Sequence, residues 1–126
     1  MNENKNKTIL FVEDDLNLLK LVTESLEDAG YKVIKALNGE DCIEILKDIK
    51  PDLILLDLIL PKKDGFDVLS ETSKDQMTKN IPIIVLTNLE EKFDIERALS
   101  YGVRAYLVKT NYGPSEIVKK VGEILK

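Results

Sequence analysis

Pro51-Asp52-Leu53-Ile54-Leu55-Leu56-Asp57-Leu58-Ile59-Leu60-Pro61-Lys62-Lys63-Asp64-Gly65 is the stretch from which the fold is read. Residues 53–56 are apolar without alternation, which suits a strand covered on both faces and hence a parallel sheet between helices. The run stops at Asp57. A carboxylate placed where a buried strand gives out is costly to desolvate, so this position is expected to hold a compensating cation or to react.

Working outward, a second apolar run, Thr8-Ile9-Leu10-Phe11-Val12, is followed at once by Glu13-Asp14-Asp15. If the two runs are neighbouring parallel strands, their C-terminal ends bring Glu13, Asp14 and Asp57 together. Carboxylates that share a pocket repel each other and hold a proton between them unless a cation neutralises them. Only oxygen ligands are on offer, so the expected ion is Mg²⁺, or a relative such as Mn²⁺, and not zinc.

The same alternation of short apolar runs with helical spacing extends along the chain. Strands are expected over 8–12, 32–36, 52–56, 82–86 and 104–108. Between them Leu18, Leu19, Val22 and Leu26 recur at helical intervals, as do Val68 with Leu69, Phe93 with Leu99, and Ile117 with Val121, Ile124 and Leu125. Asp15 and Asn38 suit helix N-caps, Gly30 and Gly102 suit C-terminal stops, and Gly113-Pro114 suits the start of the last helix. Residues 73–80 are polar and expected to form a loop. The chain therefore reads as (βα)₅, with a five-stranded parallel sheet and helices on both faces. In such a sheet ligands sit outside the C-terminal ends of the strands, where Thr87 and Lys109 join Glu13, Asp14 and Asp57.

Composition narrows the function. At 126 residues and 44% hydrophobic content the chain suits one domain, expected over 7–126 behind a disordered tail at 1–6. A net charge of −5 disfavours direct nucleic-acid binding as the primary role. With no histidine, imidazole catalysis and a His-ligated metal are excluded for this chain alone. The single cysteine, Cys42, falls on a helical stripe with Ile45, Leu46 and Ile49 and is expected in the core. No long apolar segment or signal-like start is present in the sequence, which favours a cytoplasmic protein with no membrane association.

The segments Ile-Leu-Phe-Val-Glu13-Asp14-Asp, Pro-Asp-Leu-Ile-Leu-Leu-Asp57 with Pro61 and Asp64-Gly65, Pro82-Ile-Ile-Val-Leu-Thr87, and Gly102 through Tyr106-Leu-Val-Lys109 occur in order at compatible intervals. Together they resemble the receiver domain of two-component response regulators, in its chemotaxis-type single-domain form, from about Lys7 to the C-terminus. The resemblance implies a three-layer flavodoxin-like fold with strand order 2-1-3-4-5. It implies that Asp57 accepts a phosphoryl group from a sensor histidine kinase or a histidine phosphotransfer protein. Asp14 would ligate Mg²⁺ directly, Glu13 through water, and the Ile59 carbonyl would be a third ligand. Lys109 and Thr87 would contact the phosphoryl oxygens, and Tyr106 would be the aromatic switch. A downstream protein would read the face made by the fourth helix, fifth strand and fifth helix, including Phe93 and Tyr106.

The chain departs from that pattern where Thr110, not proline, follows Lys109, and where Asn88 replaces a small residue after Thr87. The Lys109–Thr110 bond is then either trans in a differently shaped loop or a costly non-proline cis bond. Apolar Ile59 and Leu89, each two residues beyond Asp57 and Thr87, suit slow self-dephosphorylation. Other functions on the same fold fare less well. A pseudo-receiver, a binding module without phosphorylation, has no need of the five polar residues. A flavodoxin-like cofactor binder would carry a phosphate loop after the first strand. An aspartyl-phosphate hydrolase would place an acid where Ile59 stands.

Overall fold

The computed structural model describes residues 7–126. The proposed tail at 1–6 lies outside the described residues. The elements are β1 (Thr8–Val12), α1 (Leu16–Asp28), β2 (Lys32–Ala36), α2 (Gly39–Asp48), β3 (Leu53–Leu56), α3 (Gly65–Lys74), β4 (Ile83–Thr87), α4 (Lys92–Ser100), β5 (Ala105–Val108), a 3₁₀ turn (Lys109–Asn111) and α5 (Pro114–Ile124). All strand pairs are parallel, in the order β2-β1-β3-β4-β5.

Alternation along the strands divides the core into two layers. Leu10, Val12, Ile54, Leu56 and Val85 pack with Phe66, Val68, Leu69 and Ala98 from α3 and α4. Their neighbours Ile9, Phe11, Leu53, Leu55, Ile84 and Leu86 pack on the opposite face with Leu19, Val22 and Leu26 of α1 and Ile117 and Val121 of α5. β2 is an edge strand whose exposed Lys32 and Lys35 discourage pairing with another chain. Cys42 is fully buried, and burial pushes its thiol up to about 12, which leaves it an inert core residue.

The helix punctuation follows the sequence. The Asp15 side chain accepts the N–H groups of Asn17 and Leu18, and that of Asn38 accepts the N–H of Asp41. Gly30 and Gly102 have φ of 101° and 82°, the left-handed region that ends a helix at little cost with glycine. Pro114 opens α5 behind Gly113. Three strands start one residue later than expected, at Leu53, Ile83 and Ala105. Pro82 has no N–H to give, and the Asp52 side chain is taken up by the N–H of Thr8 at 2.7 Å.

One expectation changes. Ser73 and Lys74 belong to α3, not to a loop, and the turn begins only after them. The Thr72 and Ser73 hydroxyls donate back to the Val68 and Ser70 carbonyls, so these polar residues are compatible with helix. Thr78 in the turn is buried, and its hydroxyl donates to the Thr72 carbonyl at 2.8 Å. The helical spacing of Phe93 with Leu99 falls in α4 as expected; both side chains are exposed, at 73% and 49%, and the small Ala98 is the buried residue of this helix. All peptide bonds among the described residues are trans, including Lys109–Thr110, so the loop takes the first of the two shapes considered above.

Candidate functional site

The register of the sheet assembles the acids. The Asp57 N–H donates to the Val12 carbonyl at 3.1 Å, and the Glu13 N–H donates to the Ala36 carbonyl at 2.9 Å. Glu13 and Asp57 therefore sit on the last rungs of adjacent strands. Glu13 is fully buried and Asp57 nearly so, whereas Asp14 is exposed at the mouth. One carboxylate oxygen from each of the three lies within 4.8 Å of the other two.

Lys109, delivered from the far side of the sheet by the 3₁₀ turn after β5, is held between two of them. Its ammonium donates to Asp57 Oδ2 at 2.8 Å and to Glu13 Oε2 at 3.1 Å, and stands 2.9 Å from Glu13 Oε1. Burial alone would lower the lysine pKa, but its bonds to Asp57 and Glu13 outweigh that and raise it. Burial pushes the Glu13 carboxyl up to about 7; the Asp57 charge adds to the rise, and the Lys109 bond opposes it. The second oxygen of Asp57, Oδ1, accepts the Ile59 N–H at 3.1 Å. Ile59 itself is 54% exposed at the rim.

These residues fit a hard divalent cation. Three carboxylates face one ammonium, and the buried Glu13 Oε1 has no hydrogen-bond donor despite its closeness to Lys109. All the side-chain donors are oxygens, the set preferred by Mg²⁺ and Mn²⁺.

On the other side of the site Thr87 closes β4, fully buried, and its Oγ1 accepts a long 3.5 Å bond from the Leu89 N–H. Tyr106, half-buried on β5, donates its hydroxyl to the Leu89 carbonyl at 2.8 Å. Burial, and secondarily the charges of Asp94 and Asp57, push this phenol up to about 12. Leu89 thus joins Thr87 to Tyr106 through its main chain, a role no side-chain pattern announces. Asn88 is exposed. A groove of about 490 Å³ between α2 and α3, lined by Ile43, Leu46, Glu71 and Thr78 among others, contains none of these residues.

Two glycines allow close backbone approaches along the segment that follows Asp57. A Cβ on Gly65 would come within 2.5 Å of the Asp57 carbonyl oxygen and the Leu58 Cα, and one on Gly39 would overlap the Lys63 main chain. Gly65 is visible in the sequence as part of the Asp64-Gly65 pair. Gly39 is not, because Asn38-Gly39 is equally well explained as a helix start.

An acid pocket closed by a lysine at the C-terminal edge of a 2-1-3-4-5 sheet is what a phosphorylation-controlled signalling domain requires, and the chain belongs to the response regulator receiver domains of two-component systems, whose family model matches residues 9–122. It is 37% identical, over 96% of its length, to the alkaline phosphatase synthesis transcriptional regulatory protein PhoP of Bacillus subtilis, of which it covers 49%. The chain spans about half the length of the curated relatives it matches. Among solved structures it is similar to the phosphorylated cyanobacterial phytochrome response regulator RcpA, with 33% identity, a TM-score of 0.82, and coverage of 94% of this chain and 91% of that one. The Mn²⁺-bound form of response regulator Rcp1 gives 34% identity, the same TM-score and the same coverage.

Proposed function

We propose that Asp57 is the phosphoacceptor, taking a phosphoryl group from a phosphohistidine of a sensor kinase or histidine phosphotransfer protein in a cation-dependent reaction that this domain catalyses on itself. The observation that carries this reading is the Lys109 ammonium bonded to both Asp57 and Glu13 inside a cluster of three carboxylates. Phosphoryl transfer asks a protein for in-line positioning and charge stabilisation more than for covalent help.

Glu13, Asp14, Asp57 and the Ile59 carbonyl would hold Mg²⁺, with Mn²⁺ as a substitute. When bound, that ion supplies charge neutralisation for the carboxylates and the transferring phosphoryl oxygens. An Asp57 oxygen attacks phosphorus, the P–N bond to the donor imidazole breaks, and the imidazole nitrogen keeps the electron pair. Lys109, already 2.8 Å from Oδ2, follows the charge onto a phosphoryl oxygen. Thr87 gives up its long bond to Leu89 and donates its hydroxyl to another.

That movement carries the signal. Drawing Thr87 toward Asp57 displaces Leu89, whose carbonyl holds Tyr106, and the ring turns inward. A downstream protein then reads α4, β5 and α5, with Phe93 and Tyr106 in the contact. The domain acts in the cytoplasm, and no helix among the described residues is long and apolar enough to cross a membrane. Ile59 and Leu89 shield the aspartyl phosphate from water, so self-dephosphorylation is slow. An unchanged phosphoryl lifetime in Ile59→Asn combined with Leu89→Glu would remove that last point.

The decisive experiment is intact mass after incubation with acetyl phosphate or phosphoramidate, with and without Mg²⁺, for wild type and Asp57→Asn. A gain of one phosphoryl group that needs both Mg²⁺ and Asp57 is expected. No gain under any condition would overturn the reading in favour of a pseudo-receiver that acts as a binding module.

A further inference from the structure

We propose that Gly39, in the first turn of α2, is a positioning residue for the cation and phosphoryl site, acting through the main chain of Lys63. This rests on the reading that Glu13, Asp14, Asp57 and the Ile59 carbonyl hold Mg²⁺. Gly39 touches none of these groups.

The segment from Leu58 to Asp64 leaves the sheet at Asp57 and returns at α3, and it is fixed at both ends. At the α3 end the Gly65 N–H donates to the Leu58 carbonyl at 2.9 Å. At the outer side the Gly39 N–H donates to the Lys63 carbonyl at 2.9 Å. The Lys63 ammonium pairs with Glu71 of α3 at 2.5 Å, so one residue ties the loop to two helices. Its neighbour Lys62 already has φ of 64°, a left-handed conformation costly for a residue with a Cβ, which leaves the loop little slack.

A Cβ at position 39 would overlap the Lys63 carbonyl oxygen and lie 2.7 Å from both the Lys63 carbonyl carbon and its Cβ. Those atoms are main chain or attached directly to it, so no rotamer change relieves the overlap. α2 has little freedom to retreat, because both Asn38 and Cys42 are buried and Cys42 packs in the core behind it. The displacement therefore falls on the loop. Four residues before Lys63 stands Ile59, whose N–H orients Asp57 Oδ1 at 3.1 Å and whose carbonyl is the third ligand in the reading above. Groups that hold metal ligands in place govern affinity without touching the ion.

Mg²⁺ titration of the ¹⁵N-labelled protein tests this without phosphorylation. In Gly39→Ala the dissociation constant for Mg²⁺ is expected to rise about tenfold or more, and saturating Mg²⁺ is expected to restore phosphorylation by acetyl phosphate. Leu26→Ala, which opens the opposite core layer, is expected to lose stability yet keep the wild-type Mg²⁺ constant. A folded Gly39→Ala with wild-type affinity would overturn the inference. If Gly39→Ala does not fold, wild type decides: the Gly39 and Lys63 amide signals should move with the same midpoint as those of Asp14 and Ile59, and signals that stay still would overturn it. A wild type that binds no Mg²⁺ at all would instead overturn the reading of the site itself.

Discussion

The two loops that flank Asp57 are built to opposite specifications. The β3–α3 loop is closed by Gly65, braced by Gly39 and Lys63, and followed by a helix with a full capping box, in which Asp64 and Asp67 satisfy each other's N–H groups. The β4–α4 loop hangs on one long bond from Leu89 to Thr87 and one bond from Tyr106. It leads into a helix whose N-cap, Glu91, makes no capping bond and whose one buried residue is Ala98. On the function proposed above, the stiff loop carries the groups that hold still during phosphoryl transfer, and the loose one carries those that move. Local stability is thus distributed by task within a single sheet edge.

The largest effect is expected on the stiff side. Gly65→Ala forces a methyl against the Asp57 carbonyl and should cost about 3 kcal/mol in urea unfolding. A loss well under 1 kcal/mol would mean that this loop yields as easily as its counterpart, and the contrast would fail. A paired measurement sharpens it: Asp64→Ala should cost about 1 kcal/mol through its lost cap, and Glu91→Ala close to nothing. Equal costs would erase the difference between the helix starts. Relief of strain should also be measurable, since Lys62→Gly removes the left-handed Cβ and is expected to raise stability by about 1 kcal/mol. The smallest change belongs to the loose side. Tyr106→Phe deletes one partly exposed bond, worth about 0.5 kcal/mol, and should hasten amide exchange over residues 88–92 while leaving the yield of phosphorylated protein unchanged.

What could be read in advance follows from how locally each feature is encoded. Strands covered on both faces announce themselves, because every residue of 53–56 and most of 8–12 must be apolar. The acids stand out because charge interrupts those runs. Helix caps are legible for the same reason: Asp15 and Asn38 bond within three residues of themselves. The spacing of Phe93 with Leu99 marks the α4 helix but not its buried face, which belongs to Ala98, a side chain too small to stand out in the sequence. The end of α3 was hidden by polar residues that satisfy their own hydroxyls on helix carbonyls. The link from Gly39 to Lys63 joins two main chains, and the Tyr106 hydroxyl ends on the Leu89 main-chain carbonyl, so in both cases the partner is a backbone group that no side-chain pattern records.

The position of Lys109 ties the acid pocket to the far edge of the sheet. β3, β4 and β5 follow one another outward from β1 on the same side of the sheet, so β5 is its far edge. Both buried acids stand at the ends of the adjacent strands β1 and β3, but the ammonium that compensates them lies 52 residues further along than Asp57, beyond β5. A sheet without β5 would therefore leave the buried acid pair without the counter-charge of Lys109, and closure of the acid pocket and completion of the sheet become the same event.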